Sequence, residues 1–147
     1  MRTTYRVLAH LVALGVAIQA ASVALGFFFI IHEVEDGGVV SAGYDYESNL
    51  GIMVHRFGGL GLVPLAAIAL FAVAFRTRAP GAVARAGTVF GLVLLQIALV
   101  FLAFTVAWGG ALHGANALAV LLSAIWAGRL FPRVRHGDEP VRATVAA

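Results

Sequence analysis

Residues 88–107 read TVFGLVLLQIALVFLAFTVA and contain no charged side chain. A helix needs about 20 mostly apolar residues to cross the hydrocarbon core of a bilayer. Comparable apolar runs occupy much of the remaining chain. We therefore predict four membrane-spanning helices, at residues 7–31, 52–75, 82–107 and 110–131, and no separate soluble catalytic domain.

The composition agrees with a membrane protein. Of the 147 residues, 61% are hydrophobic and 12% are charged, whereas about a quarter of the residues in soluble domains are charged. The mean hydropathy is +0.95. Because the sequence has no cysteine, disulfides, thiolate metal sites and thiol nucleophiles are excluded. Histidine is then the strongest metal ligand that the chain offers.

Arginine is distributed unevenly along the chain and predicts its orientation. Nine of the ten basic residues flank one side of the predicted spans: Arg2, Arg6, Arg76, Arg78, Arg85, Arg129, Arg133, Arg135 and Arg142. The loop at residues 32–51 carries five acidic residues: Glu33, Glu35, Asp36, Asp45 and Glu47. Since cytoplasmic flanks are enriched in arginine, we expect both termini in the cytoplasm and this loop outside. The basic isoelectric point then reflects arginines that lie beside an anionic lipid leaflet. We expect no nucleic-acid partner.

The first apolar run has two interpretations. Basic residues precede it and small residues at 22–24 resemble a cleavage site, as in a signal peptide. The apolar stretch continues through residue 31, which favours an uncleaved helix. Short joints place consecutive spans antiparallel. We thus expect an all-α, up-down-up-down four-helix bundle, followed by a polar cytoplasmic tail at residues 132–147.

Two histidines occupy equivalent places in the predicted bundle. His55 and His113 are each at about the fourth residue of the second and fourth spans, which run in the same direction. At 1.5 Å per residue, both imidazoles lie about 5 Å below the outer helix ends. Ionisable side chains inside a membrane usually serve a function. We predict that these rings face each other across the core and ligate a haem b held edge-on between them.

The residues that follow both histidines favour a porphyrin over a bare metal ion. By helical periodicity the His55 and His113 faces continue, respectively, through Gly58, Gly59, Leu62 and Ala66 and through Asn116, Ala117, Val120 and Ala124. Small side chains here predict an apolar slot, with Gly59 and Ala117 against the cofactor. Arg56 is expected to pair with a haem propionate. Zinc would require three or four converging ligands.

Other interpretations of the same residues stay open. Glycines at this spacing are also typical of close helix packing, and the histidines could bridge helices in a subunit or scaffold without cofactor. Gln19 and Gln96 are predicted to hydrogen-bond between helices, and His10 to bond a neighbouring helix. A membrane oxidase acting on a haem or isoprenoid is a further alternative. It would need an acid from the loop, where Glu33, Glu35 and Glu47 are the candidates.

Three motifs carry a resemblance to a known family. MVHR at residues 53–56, LLQIALVFLAFTV at 94–106 and ALHGANAL at 111–118 resemble one four-helix half of the haem A synthase family. The corresponding histidines ligate haem in that family, which implies the same role for His55 and His113. An acidic residue needed for methyl oxidation precedes the first histidine there, and Ile52 takes its place here. The chain is also similar to small four-span actinobacterial proteins, which implies the plasma membrane of a bacterium.

The sequence therefore predicts a membrane protein that binds haem b through two histidines. Because both axial positions would be filled, electron transfer or haem handling is favoured over oxygen chemistry. The expected partners are the lipid bilayer and a respiratory-chain or other redox protein of the membrane, with a homo-oligomer as a further option. Whether the protein is an enzyme is left open.

Overall fold

The computed structural model describes residues 1–41 and 43–131. The predicted tail, with His136 and the last three arginines, lies outside the described residues. Within the described residues, four helices are long and apolar enough to cross a membrane, and there are helices but no strand. The prediction of an all-helical, multi-span chain is confirmed.

The helices begin and end close to the predicted positions. They are α1 (Arg2–Glu35), α2 (Leu50–Phe57), a π-helical turn (Gly58–Leu62), α3 (Val63–Thr77), α4 (Ala82–Ala103) and α5 (Ala107–Gly128). The second span thus consists of α2, the π turn and α3. The last joint lies earlier than predicted, because Val106 has an extended backbone and Gly109 already packs on the backbone of Ala103.

The four spans pack in a closed ring. Span α1 contacts both α5 and the second span, and α4 contacts the second span and α5. The second span and α5 are therefore diagonal to each other. At one end of the ring the Tyr5 hydroxyl donates to the Ala82 carbonyl at 3.1 Å, and Arg85 Nη1 donates to the Trp126 carbonyl at 2.9 Å. We call this the arginine end.

The apolar core fills only the half of the bundle next to the arginine end. Its buried residues are Tyr5, Ala9, Val12, Ala13, Val63, Ala67, Leu70, Ala74, Ala82, Ala86, Val89, Val93, Val120, Ala124 and Ala127. Their spacing of three and four marks the inner face of each helix, and the many alanines allow close helix approach. Along every span this packed core stops short of Gln19, His55, Gln96 and His113.

The π turn changes which residues of the second span face the core. Pro64 at the start of α3 has no N–H and crowds the carbonyl four residues earlier, and a π turn relieves this crowding. Because a π turn contains about one residue more than an α turn, the inner face moves by one position. Leu62, predicted on the His55 face, is 73% exposed, whereas Val63 is 8% exposed. The prediction for Leu62 is wrong for this reason.

Candidate functional site

His55 on α2 and His113 on α5 meet across the diagonal of the bundle. Their ring centroids are 6.3 Å apart and the ring planes are inclined by 68°. The two side chains are only partly exposed. The structure thus brings together the two histidines whose matched depth was read from the sequence.

A backbone carbonyl of the preceding span orients each imidazole. His55 Nδ1 donates to the Gln19 carbonyl at 3.0 Å, and His113 Nδ1 donates to the Gln96 carbonyl at 3.1 Å. A carbonyl can only accept, so in the neutral rings the proton is on Nδ1 and Nε2 carries the lone pair. Histidines that bind metals usually donate their second N–H in this way. Both rings therefore have the tautomer that allows ligation through Nε2.

The Gln96 side chain forms a polar network around His113. Its amide nitrogen lies 3.1 Å from His113 Nε2 and donates to the His113 carbonyl at 3.0 Å. Its oxygen accepts from Asn116 Nδ2 at 2.6 Å, and Asn116 also donates to the Leu92 carbonyl at 2.9 Å. Asn116, placed on the His113 face by the sequence, thus positions Gln96. The Gln96 amide would have to move before His113 Nε2 could ligate a metal.

Gln19 is the counterpart of Gln96, but its side chain makes fewer hydrogen bonds. Its amide donates to the Val54 carbonyl at 3.4 Å, and its buried Oε1 has no hydrogen-bond partner among the described residues. A Cβ at Gly58 would overlap the Gln19 amide nitrogen, and one at Gly59 would lie 3.2 Å from Oε1. The interhelical role predicted for both glutamines is confirmed. Gly59 makes room for Gln19 at this position.

The other predicted cofactor contacts lie around the same level. Ala117 is half-buried on α5, one turn after His113. Arg56 is exposed at the rim, where its Nη1 is 4.0 Å from a carboxylate oxygen of Glu47. Gln19, His55, Gln96 and His113 are all partly exposed, in contrast to the buried core below them. The side chains at the level of the histidines are therefore more exposed than those of the apolar core.

The acidic loop is attached to the histidine half of the bundle. Asn49 accepts from the Ile52 N–H at 3.2 Å, which caps α2, and donates to the Gly26 carbonyl on α1 at 2.9 Å.

The acidic residues near the loop affect a neighbouring tyrosine. A hydrogen bond between Tyr44 and Glu33 is the main cause that raises the pKa of Tyr44. Within residues 1–41 and 43–131, no three histidine, aspartate or glutamate side chains form a group that could hold a metal ion.

His10 differs from its prediction. Its Nδ1 donates to the Arg6 carbonyl of its own helix at 2.6 Å and makes no hydrogen bond to a neighbouring helix within the described structure. The ring instead packs on α5, where a Cβ at Gly128 would lie 2.8 Å from its Cε1. A helix-internal carbonyl one turn away is the nearest acceptor for a histidine at this position, which explains the difference.

The described geometry offers two imidazole nitrogens from diagonal spans, each oriented through Nδ1. A half-buried polar shell of two glutamines surrounds them. Comparison of the chain with protein-family models, with curated proteins and with solved structures gives no match.

Proposed function

We propose that this chain is an integral membrane protein that binds haem b between His55 and His113. The distance between the two rings carries the proposal. With a metal–nitrogen bond of about 2 Å and a ring nitrogen about 1 Å from its centroid, two imidazoles on opposite sides of one iron have centroids about 6 Å apart. The observed separation is 6.3 Å.

The surroundings of the rings support ligation through Nε2. Both Nδ1 atoms donate to carbonyls of the preceding spans, which holds the rings against rotation. The partial exposure of both histidines leaves them accessible to a cofactor. The resemblance of MVHR and ALHGANAL to the haem-ligating motifs of haem A synthases points to the same two residues.

Residues near the two histidines would assist haem binding in different ways. Iron with two imidazole ligands supplies one-electron redox chemistry without an open position for oxygen or substrate. Gln96 would withdraw its amide from His113 Nε2 and would keep the bond from Asn116 to its oxygen. Arg56 at the rim attracts a propionate carboxylate through its guanidinium. We therefore assign electron transfer or haem handling, with a redox protein of the membrane as partner.

The proposed orientation in the membrane rests on the distribution of arginines and acidic residues. The starts of α1 and α4 and the end of α5 meet at the arginine end, and the acidic loop joins the opposite ends of the first two spans. We propose an up-down-up-down bundle in a bacterial plasma membrane, with both termini in the cytoplasm and the loop outside.

A pyridine haemochrome spectrum of the detergent-purified protein, expressed with a haem supply, tests the proposal. Wild-type protein should show a Soret band, a reducible α band and the haem b haemochrome. His55→Ala and His113→Ala should abolish the spectrum. His10→Ala and His32→Ala are matched controls and should retain it. A folded but colourless wild-type protein refutes haem binding.

The hydrogen bond between Gln96 and His113 Nε2 favours a second candidate, a cofactor-free subunit whose histidines bridge helices. In that protein His113→Ala would lower the free energy of unfolding without changing a visible spectrum. The same preparations therefore distinguish the two functions.

A further inference from the structure

A groove of about 510 Å³ lies between α1 and the end of α5 at the arginine end. Arg6, His10 and Arg129 contribute charged or ionisable groups to its lining, and Val7, Leu11 and Leu14 contribute an apolar stripe. The lining of the groove does not include the histidine pair. Neither its cationic groups nor its apolar stripe takes part in the haem proposal.

The charge of the groove is uncompensated within the described structure. All five acidic residues described there lie between residues 33 and 47. Since α1 is one continuous helix, Arg6 and Glu33 are about 40 Å apart along it. An anion is therefore the ligand that the groove attracts.

The helices hold Arg6 and His10 in place. Arg6 Nη1 donates to the Phe131 carbonyl at 3.4 Å, which keeps the guanidinium between α1 and the chain after α5. The His10 ring rests on Gly128, where a Cβ would lie 3.1 Å from Nδ1. The bond from Nδ1 to the Arg6 carbonyl fixes the orientation of the ring. A guanidinium fork matches the oxygens of a phosphate.

The apolar stripe extends from this charged end along α1. Val7, Leu11 and Leu14 follow each other at intervals of four and three, so they share one helix face. All three are exposed. The stripe covers about 10 Å of helix. A ligand with an anionic head and an apolar chain matches both parts of the groove.

We propose that this groove binds an anionic glycerophospholipid. The phosphate lies between Arg6 and Arg129, and an acyl chain lies along Val7, Leu11 and Leu14. Basic pockets between membrane helices on the cytoplasmic side recognise anionic headgroups in this manner. The site requires neither haem nor the histidine pair.

Titration of the full chain in detergent with phosphatidylglycerol, followed by native mass spectrometry, tests the proposal. The loss of one guanidinium should weaken lipid binding about fivefold, so Arg6→Gln/Arg129→Gln should weaken it roughly 30-fold. Arg129→Gln alone, at an exposed position, should weaken it about fivefold and serves if the double variant does not fold. Arg76→Gln/Arg78→Gln removes two charges, one at the end of α3 and one just after it, and should bind as wild type. Phosphatidylcholine should bind weakly to all of these proteins.

Three results would overturn the proposal. Equal losses of phosphatidylglycerol affinity in the two double variants would show that the lipid is attracted to basic residues in general and not to this groove. Displacement of the lipid by millimolar inorganic phosphate would assign the groove to a free anion. A tenfold gain in lipid affinity on Asp138→Asn/Glu139→Gln would show that these carboxylates compete with the lipid. The groove would then be assigned to carboxylates of the chain itself.

Discussion

The imidazoles of His55 and His113 lie 6.3 Å apart, centroid to centroid, although they belong to helices that do not adjoin in the ring. No direct hydrogen bond between them is found in the described structure. Each ring is positioned by a carbonyl of the span before it. The gap between the rings is therefore set by the packing of all four spans.

The two glutamines provide a matched pair of variants. Gln96→Leu removes three hydrogen bonds, to His113 Nε2, to the His113 carbonyl and from Asn116. At about 0.6 kcal/mol for each interhelical bond, the apoprotein should lose about 1–2 kcal/mol of unfolding free energy. Its haem affinity should rise, because Nε2 is released. Gln19→Leu removes one long bond and should cost less than about 0.5 kcal/mol. Thermal unfolding and haem titration measure both effects, and equal destabilisation would contradict the assigned network.

The π turn predicts which deletion the second span tolerates. Removing Gly61 shortens the π turn to a regular α turn and leaves His55 and Val63 on one face. We expect this variant to fold with a lower unfolding temperature than wild type, because a regular α turn restores the crowding between Pro64 and the carbonyl four residues earlier, and to remain more stable than a variant whose core register is broken. Removing Ala69 instead rotates the end of α3 by about 100° and takes Leu70 and Ala74 out of the core. If both deletions unfold the protein equally, the π turn is not an inserted residue.

Gly51 should tolerate no side chain, because a Cβ there would overlap Gly26 and lie 2.6 Å from the Ser22 carbonyl oxygen. The obstacle is backbone, which cannot rotate away as a side chain can. Gly51→Ala should therefore cost about 1–3 kcal/mol of unfolding free energy. At Gly91 on α4 a Cβ meets nothing within 4 Å, and Gly91→Ala should leave stability unchanged or raise it. Parallel thermal unfolding in one detergent compares the two, and a greater loss at Gly91 would contradict the packing of α1 against α2.

Arg56 and Glu47 should tune the proposed haem in opposite directions. Removing a positive charge near the iron favours the oxidised state, so Arg56→Gln should lower the midpoint potential, and Glu47→Gln should raise it. Their stabilities should change by less than about 0.5 kcal/mol, because the side chains are 61% and 79% exposed and 4.0 Å apart. Spectroelectrochemical titration measures the potentials. Shifts of the same sign would show that the two charges do not act through the haem.

The sequence predicted the four spans well because crossing a bilayer requires a length and an apolarity that can be counted. It also predicted the meeting of His55 and His113, because depth in a helix follows directly from residue number. It did not predict the exposure of Leu62, since the register change at the π turn depends on how Pro64 is accommodated. Nor could it predict that Gly58 and Gly59 border Gln19, because side-chain partners between helices depend on helix rotation.

The confinement of the apolar core to one half of the bundle has a dynamic consequence. Small buried residues near Tyr5 and Ala82 pack the four helices together at the arginine end. Local opening at the opposite end therefore need not unfold the whole molecule. Such local opening costs less free energy than global unfolding. Amide hydrogens near His55 and His113 should consequently exchange sooner than those near Leu70 and Ala86.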